Sequence, residues 1–380
     1  MQIAFDATQL LGYSGINVYT RNLASHLAHS FPEDTYSMLT TYRKIGAVSE
    51  YFDEQSRGRM QWDNPFPHRL ALGYAGKPLV GYWIGKQFRR KSRAFDLVHF
   101  TDPSQFPLGI TRAVVTIHDL IPLYSVGWVS PETRTRMRKK LSAIARQTTL
   151  IFVPSEYVRQ ELLAYFDIDP ARIRVTYESA GSEFRVGNPR EDFLSHFGLP
   201  ADARFFLSVG RIDPRKNLDG ILSAYTTLPR DLQEQVWLLI IANGSQEEEA
   251  QLDAKIAGHA HIRRRRSVSN EELVGLLNRA LGLPFVSFSE GFGIPLLEAM
   301  ACGCPVITSN VSSMPEIAKD AALLVDPSDT VAIRDAMLRL IEDPETPRKL
   351  REQGLQRAQQ FSWSRCAAET HAGYEYALGL

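Results

Sequence analysis

Short apolar runs of strand length alternate with helical stretches along most of the chain. In the first half, this alternation predicts strands at residues 2–6, 97–100, 113–118, 150–153 and 173–177, and helices near 18–29, 131–147 and 155–165. In the second half, it predicts strands at residues 204–209, 235–242, 262–265, 284–288, 306–308 and 322–325. This alternation is typical of parallel α/β layers, because each helix carries the chain back to the edge where the next strand begins. The sequence therefore predicts an α/β fold with two doubly wound parallel sheets.

The glycines and the proline of residues 181–190 interrupt both the helical and the strand periodicity of apolar residues, so we expect the domain boundary within this segment. We predict a first domain at residues 1–183, a second at 184–361 and a terminal helix at 362–380. Both domains then have an ordinary size. Residues 48–75 are irregular and rich in aromatic and charged side chains, and we predict a loop-rich excursion there, of the kind that often carries specificity.

The composition indicates a cytoplasmic globular protein. Hydrophobic residues make up 44% and charged residues 23% of the chain, which is the ordinary balance of a soluble domain. Its apolar runs are of strand length, well short of the roughly 20 residues that a membrane-spanning helix needs. The first residues show neither a basic n-region nor a small-residue cleavage site, so no export signal is predicted. The three cysteines have no zinc-site spacing, and no metal or other cofactor is expected.

The net charge of zero hides an asymmetry between the two halves. Residues 1–180 hold 22 basic and 16 acidic residues, and the remainder holds 21 basic and 27 acidic ones. Much of the positive excess lies in two clusters, 86–93 and 134–140, which mix apolar residues with their charges. Such clusters fit a peripheral contact with an anionic membrane or, equally, a solvated helix face. The basic run 263–266 has no stacking aromatics beside it, so no nucleic-acid partner is predicted.

The segment SEGFGIPLLEAMACGCPV, residues 289–306, carries the strongest functional signal. Glu290 and Glu298 stand eight residues apart, with a tight turn at Gly291 and Gly293 between them and a helical run after it. A glycine turn that leads into a helix makes an anion site, because unpaired N–H groups and the positive end of the helix dipole point at one spot. A carboxylate on each side of that spot can bind sugar hydroxyls. An anion site between two such acids suggests a nucleotide sugar as the ligand.

This segment resembles the E-x7-E signature of retaining glycosyltransferases of family 4, which have the GT-B fold. The resemblance implies two Rossmann-like domains that face a central cleft, and a C-terminal helix that crosses back to the first domain. It also implies that Glu290 binds donor-sugar hydroxyls and Glu298 the ribose hydroxyls, while the amides of Phe292, Gly293 and Ile294 bind the distal phosphate and the sugar. The alternative is a structural turn whose glutamates face water, but Glu298 lies in an apolar run that leaves few exposed positions.

The segment SVGRIDPRKN, residues 208–217, follows a predicted strand and carries three cations. Cations fixed at a strand end stabilise the charge that develops on a diphosphate leaving group. The segment resembles the family pattern G-R-x-x-x-x-K-N, which implies that Arg211 and Lys216 bind the diphosphate. Arg215 matches no fixed position of that pattern, and we predict that it lies at the surface. The alternative is a charged loop that ends at Asn217.

Two further positions gain a role from the resemblance. A histidine at the end of a buried strand, such as His118, is more often a core residue than a catalytic one. The family has an H-D pair at this place, which implies that His118 faces the donor sugar and that Asp119 is its structural or orienting neighbour. Gly15 matches a glycine of the family's first loop, G-G-I-G-x-Y, and is assigned to donor binding. The rest of that loop departs from the pattern, for example at Asn17, which leaves the acceptor side open.

Together these motifs predict a retaining, metal-independent hexosyltransferase in which His118 and Glu290 are catalytic. The one D-x-D, residues 167–169, lies in a predicted turn and is poorly placed to bind a cation on a diphosphate. The residues of these motifs most resemble those of bacterial mannosyltransferases that build surface polysaccharides such as lipopolysaccharide. This resemblance implies GDP-mannose as the first choice of donor and a UDP-sugar or dTDP-rhamnose as the second. It also implies a saccharide or lipid-linked oligosaccharide as acceptor. A nucleotide-sugar 2-epimerase and an inactive nucleotide-sugar-binding subunit are the alternatives.

Overall fold

The computed structural model describes residues 1–7, 10, 15–39, 52, 54–63, 92–105, 112–124, 127–187 and 193–380. The chain divides into two compact units, Met1–Glu178 with Ser362–Leu380, and Ser179–Phe361. The first segment of the first unit thus ends at Glu178, whereas the sequence predicted a boundary at residue 183. The residues after it bond within the second unit, where Gly187 N donates to Asn278 Oδ1 at 2.7 Å and Asn278 Nδ2 donates to the Arg185 carbonyl at 3.0 Å.

The first unit is built on one sheet of seven strands, and every described pair in it is parallel. The strands are β1 (Gln2–Asp6), β2 (Thr35–Leu39), β3 (Met60–Asp63), β4 (Leu97–Phe100), β5 (Ala113–Thr116), β6 (Leu150–Val153) and β7 (Ile173–Val175), in the order β3-β2-β1-β4-β5-β6-β7. The helices are α1 (Gly15–Ser30), α2 (Glu54–Arg59), α3 (Pro131–Gln147) and α4 (Glu156–Tyr165), together with the C-terminal helix Trp363–Leu378. Short 3-10 turns lie at Pro103–Gln105, Ile121–Leu123 and Pro170–Arg172.

Both faces of this sheet are buried, as is usual for parallel strands covered by helices. Ile3 and Phe5 of β1 face a cluster that contains Tyr19 of α1 and Trp363 of the C-terminal helix. Ala4, between them, faces the opposite cluster, which contains residues of α3 and α4. The C-terminal helix is therefore part of the core of the first unit, on the same side of the sheet as α1.

Part of this sheet was not predicted. Residues 48–75 were expected to form a loop-rich excursion, but they contain α2 and β3 where the structure describes them. Strand β2 was also missed. Strand β3 has four residues and pairs with β2 at the edge of the described sheet, so it leaves too little alternation to detect in a sequence.

The second unit contains two three-stranded parallel sheets, with orders β10-β9-β8 and β11-β12-β13. Their strands are β8 (Arg204–Arg211), β9 (Val236–Asn243), β10 (Ile262–Arg265), β11 (Leu283–Phe285), β12 (Val306–Ser309) and β13 (Leu323–Val325). The helices are α5 (Leu218–Thr226), α6 (Arg230–Gln233), α7 (Gln246–Ile256), α8 (Asn270–Arg279), α9 (Ile294–Ala301), α10 (Met314–Ala318), α11 (Thr330–Glu342) and α12 (Glu345–Ala358), with 3-10 turns at Phe193–Phe197 and Pro214–Lys216. A parallel bridge between Phe206 and Gly282 joins the two sheets beside β8 and β11.

The order of these strands creates a switch point between β8 and β11. The chain moves outward from β8 to β10 and then returns to start β11 on the other side of β8. Doubly wound sheets bind ligands at the carboxyl ends of the strands that flank such a point. Both strongest motifs follow these two strands, so the predicted doubly wound fold is confirmed and it brings the motifs together. Within the described ranges, every helix is too short or too polar to cross a bilayer.

Candidate active site

In the second unit, the loop after β8 and the loop after β11 are hydrogen-bonded to each other. The Phe288 amide donates to the Arg215 carbonyl at 2.8 Å. Asn217 Nδ2 donates to the Val286 carbonyl at 3.1 Å. Asn217 is buried, and its backbone is left-handed with a φ of 56°. Strand β11 ends at Phe285, earlier than the predicted residue 288, because the chain turns there to make these contacts. The two motifs thus form one structure.

Glu290 lies at the centre of this structure and is 8% exposed. Its Oε1 accepts a hydrogen bond from Lys216 Nζ, and its Oε2 accepts one from Arg215 Nη1 at 3.0 Å. Burial by itself would raise the pKa of Glu290, but the charges of Lys216 and Arg215 outweigh it and lower the pKa. The carboxylate is therefore ionised and held between two cations.

Arg215 corrects the sequence-based prediction, which placed it at the surface. Its side chain is 17% exposed, and its Nη1 donates both to Glu290 and to the Ser289 carbonyl, the latter at 2.9 Å. The cause is the short turn Pro214–Lys216, which Asp213 caps by accepting from the Arg215 amide at 2.9 Å. An Asp-Pro pair predicts a capped turn of this kind, and it was the signal available in the sequence.

Lys216 and Arg211, the two predicted diphosphate ligands, lie at the same edge of the sheet. The Lys216 ammonium contacts Glu290 and lies 5.0 Å from the centre of the Phe285 ring. Arg211 is the last residue of β8 and is exposed. A narrow crevice between β8 and β11 is lined by Gly210, Arg211, Lys216 and Phe285, among others. Both cations therefore border a crevice at the switch point, and their role toward a diphosphate stays a prediction.

The three residues predicted to offer backbone amides are fixed by the fold. Gly293 has a φ of 100°, a backbone conformation that residues with a Cβ rarely adopt, so the turn favours glycine here. Ile294 begins α9, whose first N–H groups have no carbonyl partner within the helix. Ser313 Oγ donates to the Glu290 carbonyl at 2.9 Å and lies 3.2 Å from the Phe292 carbonyl. These contacts hold the backbone in place without a ligand.

Glu298 lies on α9 and is partly buried. Burial raises the pKa of Glu298 to about 8, and the negative charge of Glu183 adds to the rise. This carboxyl group therefore changes its protonation near neutral pH, in contrast to Glu290. The two glutamates of the signature have opposite electrostatic environments.

In the first unit, His118 follows β5, which ends at Thr116 rather than at the predicted residue 118. Its Nδ1 lies 3.1 Å from Glu178 Oε1, and its Nε2 lies 3.0 Å from the Thr101 carbonyl. The Tyr19 ring packs edge-on against the imidazole at 4.7 Å. Sequence reasoning missed Glu178, because it stands 60 residues from His118 and in none of the motifs.

The other two predicted residues of this unit occupy simpler positions. Asp119 Oδ1 accepts from the Ile121 amide at 3.1 Å and so caps the turn that follows it. Gly15 begins α1, is exposed, and among the described residues has no atom within 4 Å of where a Cβ would lie. Asn17, one of the departures from the family loop, is buried and its Nδ2 donates to the Leu10 carbonyl at 2.5 Å. These contacts support Asp119 in a structural role, while the role of Gly15 stays a prediction.

Only part of the basic clusters can be described. Residues 86–91 of the first cluster lie outside the described residues. The second cluster lies on α3, where Arg136, Arg138 and Lys139 are exposed. Arg134 and Lys140 donate instead to the carbonyls of Tyr124 and Ser104. Membrane contact therefore stays a prediction that rests on three exposed cations of one helix.

One group in the described part of the chain has the atoms to hold a metal ion: Glu33, Asp34 and His371, whose ligand atoms lie within 4.8 Å of one another. His371 Nε2 is 2.8 Å from Asp34 Oδ2, and its ring stacks on Phe31 with centroids 3.6 Å apart. Asp34 precedes β2 and so lies at the amino ends of the parallel strands, whereas His118 lies at their carboxyl ends. This group joins the C-terminal helix to the sheet and is separate from the candidate site.

Known proteins resemble the chain over both units. The family model for glycosyl transferases group 1 matches residues 189–357, and that for Glycosyltransferase Family 4 matches residues 13–178. The O-antigen chain mannosyltransferase B of Escherichia coli is 33% identical over 285 residues, which are 74% of each chain. The serotype-specific mannosyltransferase WbdA of Escherichia coli is 30% identical over 280 residues, which are 70% of this chain but 34% of that longer protein.

A solved structure of sucrose-phosphate synthase from Thermosynechococcus elongatus superposes with a TM-score of 0.77 over 99% of this chain and 98% of that one, at 21% identity. This likeness shows the fold, which is GT-B. With the family matches and the 33% identical relative, it establishes the class of the protein. The chain belongs to the family 4 glycosyltransferases.

Proposed function

We propose that this glycosyltransferase moves mannose from GDP-mannose to a saccharide or lipid-linked saccharide acceptor in surface polysaccharide synthesis, with retention of configuration and without a metal ion. The observation that carries this proposal is Glu290, held between Lys216 and Arg215 at the switch point of the second unit. The names of two similar proteins, both mannosyltransferases, favour mannose as the sugar. A UDP-sugar or dTDP-rhamnose is the second choice of donor.

Lys216 and Arg211 stabilise the leaving diphosphate in this proposal. As the bond between the anomeric carbon and the phosphate oxygen breaks, negative charge grows on that oxygen, and fixed cations favour this state over the bound donor. The first amides of α9 act in the same direction, since a helix N-terminus favours an anion. Side chains and backbone thus supply the positive charge that a metal ion supplies in other transferases.

Glu290 changes partners when the donor binds. In the free protein its carboxylate accepts from Lys216 and Arg215. A diphosphate competes for the Lys216 ammonium, and one carboxylate oxygen then becomes available to accept from hydroxyls of the sugar. Because Arg215 also bonds to the Ser289 carbonyl, it keeps Glu290 in place during this exchange. Glu290 therefore positions the sugar rather than attacking it.

Binding of the nucleotide through Glu298 should depend on pH. Ribose hydroxyls that donate to this carboxyl group favour its ionised form, whereas in the free protein its pKa is about 8. The affinity for GDP is therefore expected to rise from about pH 6 to about pH 8 and to level off above it, with release of a proton on binding. Glu298→Gln should remove this dependence and weaken binding by ~10-fold or more at high pH, the cost of one hydrogen bond to a charged group.

Isothermal titration calorimetry in buffers of different ionisation enthalpy measures both the affinity and the proton release. Since the terminal phosphate of GDP also titrates, the informative quantity is the difference between the wild-type protein and Glu298→Gln. Identical pH profiles for the two proteins would remove Glu298 from the ribose site.

The location proposed for the enzyme is the cytoplasm, with peripheral contact at an anionic membrane surface. The exposed cations Arg136, Arg138 and Lys139 on α3 support this contact. Each basic residue near such a surface contributes about 1 kcal/mol. A lipid-linked acceptor would then be presented near the first unit, which carries the positive charge.

A donor screen tests the proposed function. The purified protein is incubated with GDP-mannose, UDP-sugars and dTDP-rhamnose, with and without a mannose-containing acceptor, and released nucleotide and sugar products are followed. Acceptor-dependent release of GDP supports the proposal, and an α-linkage in the product supports retention, since the mannose of GDP-mannose is α-linked. Activity that is unchanged by EDTA supports a reaction without a metal ion. An epimer formed without acceptor would indicate a 2-epimerase, and binding without turnover a silent subunit.

A further inference from the structure

The hydrogen bonds of His118 fix where its protons are. Nε2 faces the carbonyl oxygen of Thr101 at 3.0 Å, and a carbonyl can only accept, so Nε2 must carry a proton. Nδ1 faces a carboxylate oxygen of Glu178 at 3.1 Å, and a hydrogen bond there requires a second proton. Either His118 is an imidazolium beside an ionised Glu178, or a neutral ring accepts from a protonated Glu178.

The surrounding charges favour the imidazolium. Burial lowers the pKa of His118, but the hydrogen bond and charge of Glu178, the Thr101 carbonyl and the charge of Asp119 together raise it above the ordinary value. The Glu178 side chain is 5% exposed and that of His118 15%, so water screens this pair only weakly. Two acidic groups and one backbone dipole thus act on the ring in the same direction.

Among the described residues, three other titratable groups near this pair are neutral near pH 7. His99 on β4 is fully buried, and burial together with the charge of His118 lowers its pKa to about 3. Burial raises the pKa of the Tyr19 phenol on α1 and of the Cys366 thiol on the C-terminal helix. None of these three groups carries a charge that would displace the proton from His118.

We propose that Glu178 is a positioning residue that holds His118 as an imidazolium between two fixed acceptors, so that His118 acts on the sugar as a cation and hydrogen-bond donor and never as a general base. The residues that hold the ring follow β4 and β7 of the sheet whose β5 leads to His118. Both acceptors therefore stand just beyond strand ends of one sheet, and together they fix the ring plane as well as its charge. Glu178 is also the last residue of the first of the two segments that form the first unit.

This inference rests on the proposed function for the role in turnover, but the protonation of His118 can be measured without any substrate. The protein contains nine histidines. With the histidine side chains labelled with ¹⁵N, the ring nitrogen shifts separate the imidazolium from the two neutral tautomers, and His118→Gln identifies the signal of His118. We expect His118 in the wild-type protein to stay doubly protonated to a higher pH than an ordinary histidine, so that it titrates above 6.5. A His118 signal that is already a neutral tautomer at or below that pH would overturn the proposal, whatever the catalytic activity.

The variant Glu178→Gln keeps an acceptor for the Nδ1 proton and removes the charge. In this variant the pKa of His118 should fall, since a nearby opposite charge is lost. Turnover is then expected to drop at least ~10-fold at about pH 8 and to recover toward about pH 6, because acid restores the imidazolium, one pKa unit being a factor of ten. A purely structural role of Glu178 would lower turnover equally at both values and would contradict the proposal.

Two variants accompany this measurement. Glu178→Asp keeps the negative charge, so turnover should not show the recovery in acid, even if it is lower throughout. Glu156→Gln makes the same change on α4, at a glutamate that is 45% exposed and paired with Arg159, and should leave the His118 titration unchanged. If Glu178→Gln does not fold, the wild-type titration and the pH profile of Glu178→Asp still test the proposal. If Glu178→Gln loses the imidazolium signal of His118 but keeps its turnover, the catalytic part of the proposal is rejected.

Discussion

Replacing Lys216 by alanine is expected to lower turnover by at least ~100-fold, the scale on which a single donor to a developing anion contributes. The ammonium lies at the carboxyl edge of β8, between the carboxylate of Glu290 and the ring of Phe285. This position lets it move between the glutamate of the free protein and the diphosphate of the donor. The loss should appear mainly in kcat, because the charge that Lys216 stabilises grows as the bond breaks.

The measurement is acceptor-dependent release of nucleotide under saturating donor. Lys255→Ala is the matched control, since this lysine also pairs with one carboxylate of the second unit, Asp219, but is 54% exposed. It should retain turnover within a factor of about two to three, as expected for an exposed ion pair. A Lys216→Ala protein that turns over at a near-normal rate would contradict the assignment to the leaving group.

Most of the fold could be predicted because each element has its own local pattern. The bounds of α3, β4, β6 and β10 agree with the prediction to the residue, and Ser155, where the helix near 155–165 was predicted to start, caps α4. These elements are buried runs with clear ends, or helices with a recognisable cap. In the first unit, the elements that were missed are β2, α2 and β3, which are short and lie at one edge of the sheet. Their place depends on pairing with distant strands, which no local pattern encodes.

The candidate site also contains residues that local motifs reveal and residues that only the tertiary structure reveals. Glu290, Lys216 and the glycine turn could be found because their motifs are continuous in sequence and the chemistry needs their spacing. Arg215 was misplaced, because only the folded turn shows that its side chain reaches Glu290. Glu178 was missed, because its relation to His118 arises from the order of strands in the sheet. Motifs thus predict which residues belong to the site, whereas the side chains that contact these residues follow from the tertiary structure.

The second large effect is expected for Glu290→Gln. The amide is the same size as the carboxylate but cannot neutralise Lys216 and Arg215, and it offers one acceptor oxygen instead of two. Turnover should fall by ~10- to 100-fold, the equivalent of losing one hydrogen bond to a charged group in the transition state. The protein should also unfold more easily, since two cations that are 17% and 20% exposed lose the negative charge of Glu290 beside them.

A matched control separates the loss of function from the loss of charge. Glu249, on α7, is 15% exposed and also lies beside two cations, Arg264 and Arg266, so Glu249→Gln makes the same change in a similar environment. It should unfold more easily without a comparable loss of turnover. The double variant of Glu290 and Lys216 gives the final test, because residues in contact do not contribute independently. If Glu290 acts together with Lys216, the double variant loses less than the product of the two single losses; fully additive losses would show that the pair seen in the free protein has no part in turnover.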